Sequence, residues 1–183
     1  MLGLFRKPAA EDPIRRAYAA IVAQARHPAF YTRWGIEDTP DGRFDMLALH
    51  AYLVLNRLKS AGPHTQDFAQ ALFDLMFVDM DQNLRELGVS DLGVGRHIKA
   101  MAQAFYGRIA AYDRGLAGTD RELSDALGRL LYEGSGPPEG ALEALQAYVR
   151  REVRSLAAAD SEALMRGDMV FGSPPGAAEG AVR

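Results

Sequence analysis

The segment FDLMFVDMDQNLRELGVSDLGVGRHIKAM, residues 73–101, sets four aspartates and a glutamate among long apolar side chains. Carboxylates in that number suit acid–base catalysis, metal ligation or charge-paired recognition, and spacing separates these chemistries. At about 100° per residue of helix, Asp74, Asp81 and Arg85 share an outer side, with Asp81 and Arg85 at the i,i+4 separation of an ion pair. Asp79 and Asn83 project instead within the apolar side, among Phe73, Met76, Met80, Leu84 and Leu87. A carboxylate placed there needs a donor or takes up a proton. Arg43, Arg96, Arg108, the histidines and backbone N–H groups are available, so Asp79 is expected to be buried and structurally paired.

Metal chemistry fits the pattern poorly. Asp79 and Asp81 lie about 200° apart on a regular helix, so one ion does not readily take both. The Glu-x-x-His motif of helical di-metal sites is absent, as is EF-hand spacing. His27, His50, His64 and His97 form no i,i+4 pair, and His50 reads as a hydrogen-bonded structural histidine. There is no cysteine, which removes disulfides, thiolate nucleophiles and Cys-based metal sites. GVGRH lacks the lysine and length of a phosphate loop, and no serine-nucleophile motif occurs. No catalytic residue, metal or cofactor is therefore expected.

The elements that must position these residues are helical throughout, with no period-2 run long enough for a strand. Asp12 caps a helix that opens at Pro13 and ends at His27-Pro28. Residues 28–42 read as an aromatic-rich linker or short helix. The helix from about 43 to 60 is apolar on two sides, which marks it as central. Thr65 is expected to cap the carboxylate-bearing helix 65–87, with Gly88 as its left-handed stop. VSDLGVG, 89–95, reads as a turn before a helix over 95–116. Thr119 and Glu122 form a capping box for the next helix, which Gly134 ends, and two more follow near 141–159 and 161–166. The fold class is all-α, a single compact domain of about seven helices over 13–170. Residues 1–12 form an N-terminal segment able to touch a membrane weakly, and 171–183 a disordered tail.

With 183 residues, 48% hydrophobic, the chain suits one well-cored domain. A net charge of -3 carries no basic excess to suggest nucleic acid. Residues 1–34 hold six basic and two acidic side chains, against six and ten in 120–168. A basic N-terminal end can face anionic lipid. No stretch approaches the roughly 18–20 uncharged apolar residues of a spanning helix.

FYGRIAAYDRG, 105–115, places Tyr106, Arg108, Tyr112 and Asp113 around a glycine inside a helix. Gly107 costs about 1 kcal/mol there relative to alanine and is best tolerated where another segment approaches closely. That segment is either a neighbouring helix of the domain or a partner helix in a groove.

At these residues the sequence resembles the ubiquinol–cytochrome c chaperone family in its compact bacterial form. The matching stretches are AYAAIVAQARHPAFYTRWGIEDTPDGRFDMLALHAYLVLNRLK (17–59), QALFDLMFVDMDQNLRELGVSDLGVGRHIKAMAQAFYGRIAAYDRGL (70–116) and, more loosely, LQAYVRREVRSL (145–156). GRLLYEG, 128–134, departs from the family pattern, where an arginine–asparagine pair is expected.

The resemblance implies an assembly factor for the respiratory cytochrome bc1 complex, not an enzyme. It implies newly made cytochrome b as partner, with room for a second assembly factor. It also implies a peripheral position at the cytoplasmic face of the bacterial inner membrane. A groove lined by aromatics and methionine would shield an apolar client segment. Candidate partner-binding residues are Arg43, Asp79, Arg85, Asp91, Tyr106, Arg108 and Tyr112, each of which could instead be an internal tie shaping the groove. The alternatives are a carrier for haem or a quinone, and a helical metal enzyme centred on Asp79 and His97.

Overall fold

The computed structural model describes residues 12–176. Among these the chain forms α1 (Pro13–Ala25), α2 (Pro28–Thr32), α3 (Pro40–Ala61), α4 (Gln66–Glu86), α5 (Asp91–Ala117), α6 (Asp120–Leu131), α7 (Ala141–Ala158) and α8 (Ser161–Met165), with no strand. The all-α expectation stands. The expectations for residues 1–11 and 177–183 lie outside the described residues.

α3 is the axis. It packs on α1, α4, α5, α6 and α7, and these five pack in turn, α1 on α4, α4 on α5, α5 on α6 and α6 on α7. The sequence dictates this place, since its apolar residues occupy two sides of one helix and need cover on both. Met46, Leu49, Leu53, Val54 and Leu58 are at most 2% exposed. No helix among the described residues is long and apolar enough to cross a membrane.

Local signals set most boundaries. The Asp12 carboxylate accepts from the Ile14 amide at 3.0 Å, with Pro13 at the first helical position, where no N–H is missed. The Thr119–Glu122 capping box forms reciprocally. Gly88 takes φ +83° and ends α4, its amide bonding the Arg85 carbonyl.

α3 opens at Pro40 under a Thr39 cap rather than near residue 43, and three further boundaries differ from expectation. Thr65 does not cap α4. It lies in a 3-10 turn, and its hydroxyl donates back to the Leu58 carbonyl at 2.6 Å, tying that turn to the end of α3. α5 begins at Asp91, four residues before the expected start, because Ser90 caps it through the Gly93 amide. Residues 171–176, expected to open a disordered tail, are strapped across the domain. Gly172 donates to Glu152 and accepts from Gln24, both at 2.9 Å, and the Trp34 indole donates to the Pro175 carbonyl at 2.7 Å. Backbone groups bonded to buried Glu152 and half-buried Gln24 and Trp34 hold this stretch where its composition suggested freedom.

Candidate functional site

The C-terminal half of α4 carries Asp79 and Glu86, two of the five carboxylates of the opening segment, to the edge of a groove. α1 forms one wall, the first turns of α3 another, and Met101 of α5 closes an end. Its volume is about 480 Å³. Phe44, Leu47, Met80, Leu84 and Met101 supply apolar lining, and Leu87, 73% exposed, stands at the lip. Two methionines in such a surface give it flexible, polarizable packing.

Asp79 lines this groove and is half-buried, where its position on the apolar side of α4 led to an expectation of burial. Its pairing was expected, but the partner is neither an arginine nor a histidine. The Tyr18 hydroxyl donates to Oδ2 at 2.8 Å, and Asn83 Nδ2 donates to the same oxygen at 3.2 Å. Burial, together with the carboxylate it binds, pushes the Tyr18 phenol above the ordinary tyrosine range. Tyr18 is the groove residue that sequence reasoning missed. It reads as one more member of the apolar stripe of α1, and nothing in the local sequence reveals that α1 lies on α4.

Arg43 lines the same groove at its rim, where its Nε donates to Asp38 at 2.6 Å. Arg85 and Asp91 are not groove residues. Arg85 donates to Asp81 at 2.6 Å and also pairs with Asp91, so the guanidinium clasps the exposed turn between α4 and α5. The expected Asp81–Arg85 pair is present, and Asp91 extends it.

The remaining three candidates lie along α5. Arg108 pairs with Asp45 of α3, their side chains only 17% and 14% exposed, and its guanidinium lies 5.0 Å from the Phe44 ring centre. Burial raises the Asp45 carboxyl pKa, with Arg108 acting against the rise. This pair braces the back of the groove by fixing Phe44. Tyr112 is fully buried against Tyr52, ring centres 5.1 Å apart. A side chain with no exposed surface touches no partner here, so its expected contact role is corrected to a packing one. Tyr106 is 59% exposed beside Phe73, at 6.0 Å. Gly107 faces open space, so no segment of the described domain approaches it. The close approach on α5 falls at Gly115 instead, where a Cβ would meet the Leu123 Cα at 3.1 Å.

His50 is the hydrogen-bonded structural histidine that was expected. It has no exposed surface, and its Nδ1 donates to the Met46 carbonyl at 2.7 Å. Nε2 is then the acceptor for the Tyr148 hydroxyl at 2.8 Å, and Gln24 donates to the Tyr148 oxygen at 2.9 Å. Burial lowers the His50 pKa to about 4, so the ring is neutral at pH 7. His97, the other half of the metal alternative, bonds the Gly93 carbonyl of its own helix. Among the described residues no three His, Asp or Glu side chains converge as metal ligands do.

A family model described as ubiquinol-cytochrome C chaperone matches residues 32–171. The chain is 28% identical over 157 residues to ubiquinol-cytochrome-c reductase complex assembly factor 1 of Xenopus laevis, covering 85% of this chain and 78% of that protein. It is 27% identical to the Homo sapiens protein of the same name over 82% of this chain, but spans only 50% of that longer protein. The crystal structure of the Cbp3 homolog from Brucella abortus superposes with a TM-score of 0.80 at 38% identity, over 90% of this chain and 91% of that one. The match spans most of the domain, including the α3 and α4 walls of the groove, and this chain belongs to the ubiquinol–cytochrome c chaperone family.

Proposed function

We propose that this chain assists assembly of the ubiquinol–cytochrome c reductase complex by holding newly made cytochrome b in the groove between α1, α3 and α4. The groove itself carries the reading, with an apolar floor containing Met80 and Met101 and a charged rim containing Arg43. A membrane-destined segment in water exposes apolar surface whose burial is worth about 1.5–3 kcal/mol per large side chain. A groove of about 480 Å³ accommodates side chains from a turn or two of helix, and methionines adapt to their shapes. Exposed Tyr106 and the Arg85–Asp91 turn are available to a second assembly factor on the adjacent face.

In this reading the protein binds and shields rather than catalyses, and works at the cytoplasmic face of the membrane where the client emerges. Tagged protein recovered from respiring cells should enrich cytochrome b, and deletion should lower the assembled complex. A deletion strain with normal complex levels would sink the proposal. A haem absorbance band that stays with the purified protein through gel filtration would favour the carrier alternative instead.

A further inference from the structure

The groove's charges are unevenly committed. Arg43 and Asp38 neutralise each other at the rim, and Glu86 accepts from Gln82 on the surface of α4. Asp79 differs from Asp38 in pairing with no cation, and from Glu86 in being half-buried rather than exposed. Its Oδ2 takes the two donors, Tyr18 and Asn83, while Oδ1 accepts no hydrogen bond among the described residues. Arg26, the remaining cation of the groove, makes no ion pair with it. Tyr18 and Asn83 therefore aim a half-buried carboxylate without neutralising it.

A fixed carboxylate with an open oxygen beside an apolar floor is complementary to a cation carried on an apolar segment. Membrane-destined helices have that composition, with Lys and Arg concentrated at the ends left on the side of synthesis. We infer that Asp79 is a specificity residue of the groove, accepting a Lys or Arg at the flank of the bound apolar segment. The inference rests on the proposed function and adds the charge of the segment and the atom that reads it. Tyr18 and Asn83 are positioning residues, because they hold Oδ2 and leave Oδ1 without a donor.

The test uses the full chain and two synthetic leucine–alanine helical peptides, one with a single Lys near its end and a twin with Gln there. Titration in mild detergent should show the Lys peptide bound about tenfold more tightly, the size of a charge-assisted hydrogen bond at a half-exposed site. Asp79→Asn keeps an acceptor for Tyr18 and should bring the two affinities together, while an unchanged helical circular-dichroism spectrum and a cooperative thermal transition show that the variant is folded. Equal affinities in the unaltered protein, a preference that survives Asp79→Asn, or binding of neither peptide would each overturn the inference. Cytochrome b capture, run in parallel, separates the two readings. If the unaltered protein captures cytochrome b but shows no Lys preference, only the inference fails. If it captures none, the proposed function fails first.

Discussion

Two tyrosine-centred clusters, one at the heart of the domain and one in the groove, spend their hydrogen bonds differently. At the heart, Tyr148 donates to His50, His50 donates to Met46, and Gln24 donates to Tyr148, so the Tyr148 hydroxyl and both ring nitrogens of His50 are engaged. In the groove, Tyr18 donates to Asp79, and the second carboxylate oxygen stays open. The first cluster has no choice, because an unpaired polar group beneath Phe30 and Phe171 would carry its full desolvation cost. The second is half in water and can leave an acceptor unused until a ligand arrives. The contrast separates polar groups that hold the fold from those that remain available for binding.

The contrast breaks most visibly at Phe30. This ring is fully buried and meets both His50 and Tyr148 edge-on, at 5.5 and 5.4 Å. Phe30→Ala should cost about 3–5 kcal/mol in urea denaturation. A loss below about 1 kcal/mol would show the centre to be less tightly closed than its geometry requires.

Arg108→Met comes next. It strands the Asp45 carboxylate in a site with little solvent, at a cost of about 3 kcal/mol. The double variant Asp45→Leu/Arg108→Met should recover at least half of that loss. A double-mutant cycle reads this directly, and a strictly additive result would deny that the pair acts as a unit.

Acid tests the closed cluster in a third way. The His50 pKa is depressed from 6.5 to about 4, so the unfolded chain binds the extra proton first as pH falls. The stability held by the neutral ring is complete above about pH 6.5 and is lost down to about pH 4, roughly 3 kcal/mol in all. Denaturation midpoints across this window should fall for the unaltered protein and fall less steeply for His50→Gln. Parallel slopes would assign the acid sensitivity to other groups.

The smallest stability effect belongs to the groove. Leu87→Ser, at a lip residue 73% exposed, should change stability by less than about 0.5 kcal/mol. If the proposed function holds, it should still lower cytochrome b capture several-fold, because the lip would meet the client and not the core. Capture that follows stability across Phe30→Ala and Leu87→Ser alike would erase the distinction between the two regions.

Local physics explains how much of this was readable in advance. The Thr119–Glu122 box, the Asp12 cap and the Gly88 stop act over three or four residues, so the chain states them itself. The two-sided apolar pattern of α3 likewise announces a central helix. Asp79 could be placed on the apolar side of α4 by rotation alone. Its partner could not be named, since Tyr18 is 61 residues away and carries no mark distinguishing it from a core tyrosine. Tyr112 and Arg108 stand four residues apart on one helix, yet one is fully buried and the other is paired with α3. The strap at 171–176 is glycine- and proline-rich, and it is held by Gln24, Trp34, Arg151 and Glu152 from distant segments.

The sequence by itself determined most of the helices, the caps at Asp12 and Thr119, the Gly88 stop, the central rank of α3 and the family, because each rests on residues close along the chain or on a long ordered run of them. Only the tertiary structure decided which groove carboxylate would be half-buried and held by neutral donors alone. That depends on packing α1 against α4 and α3, where burial ranks the same side-chain types by the donors that happen to meet them.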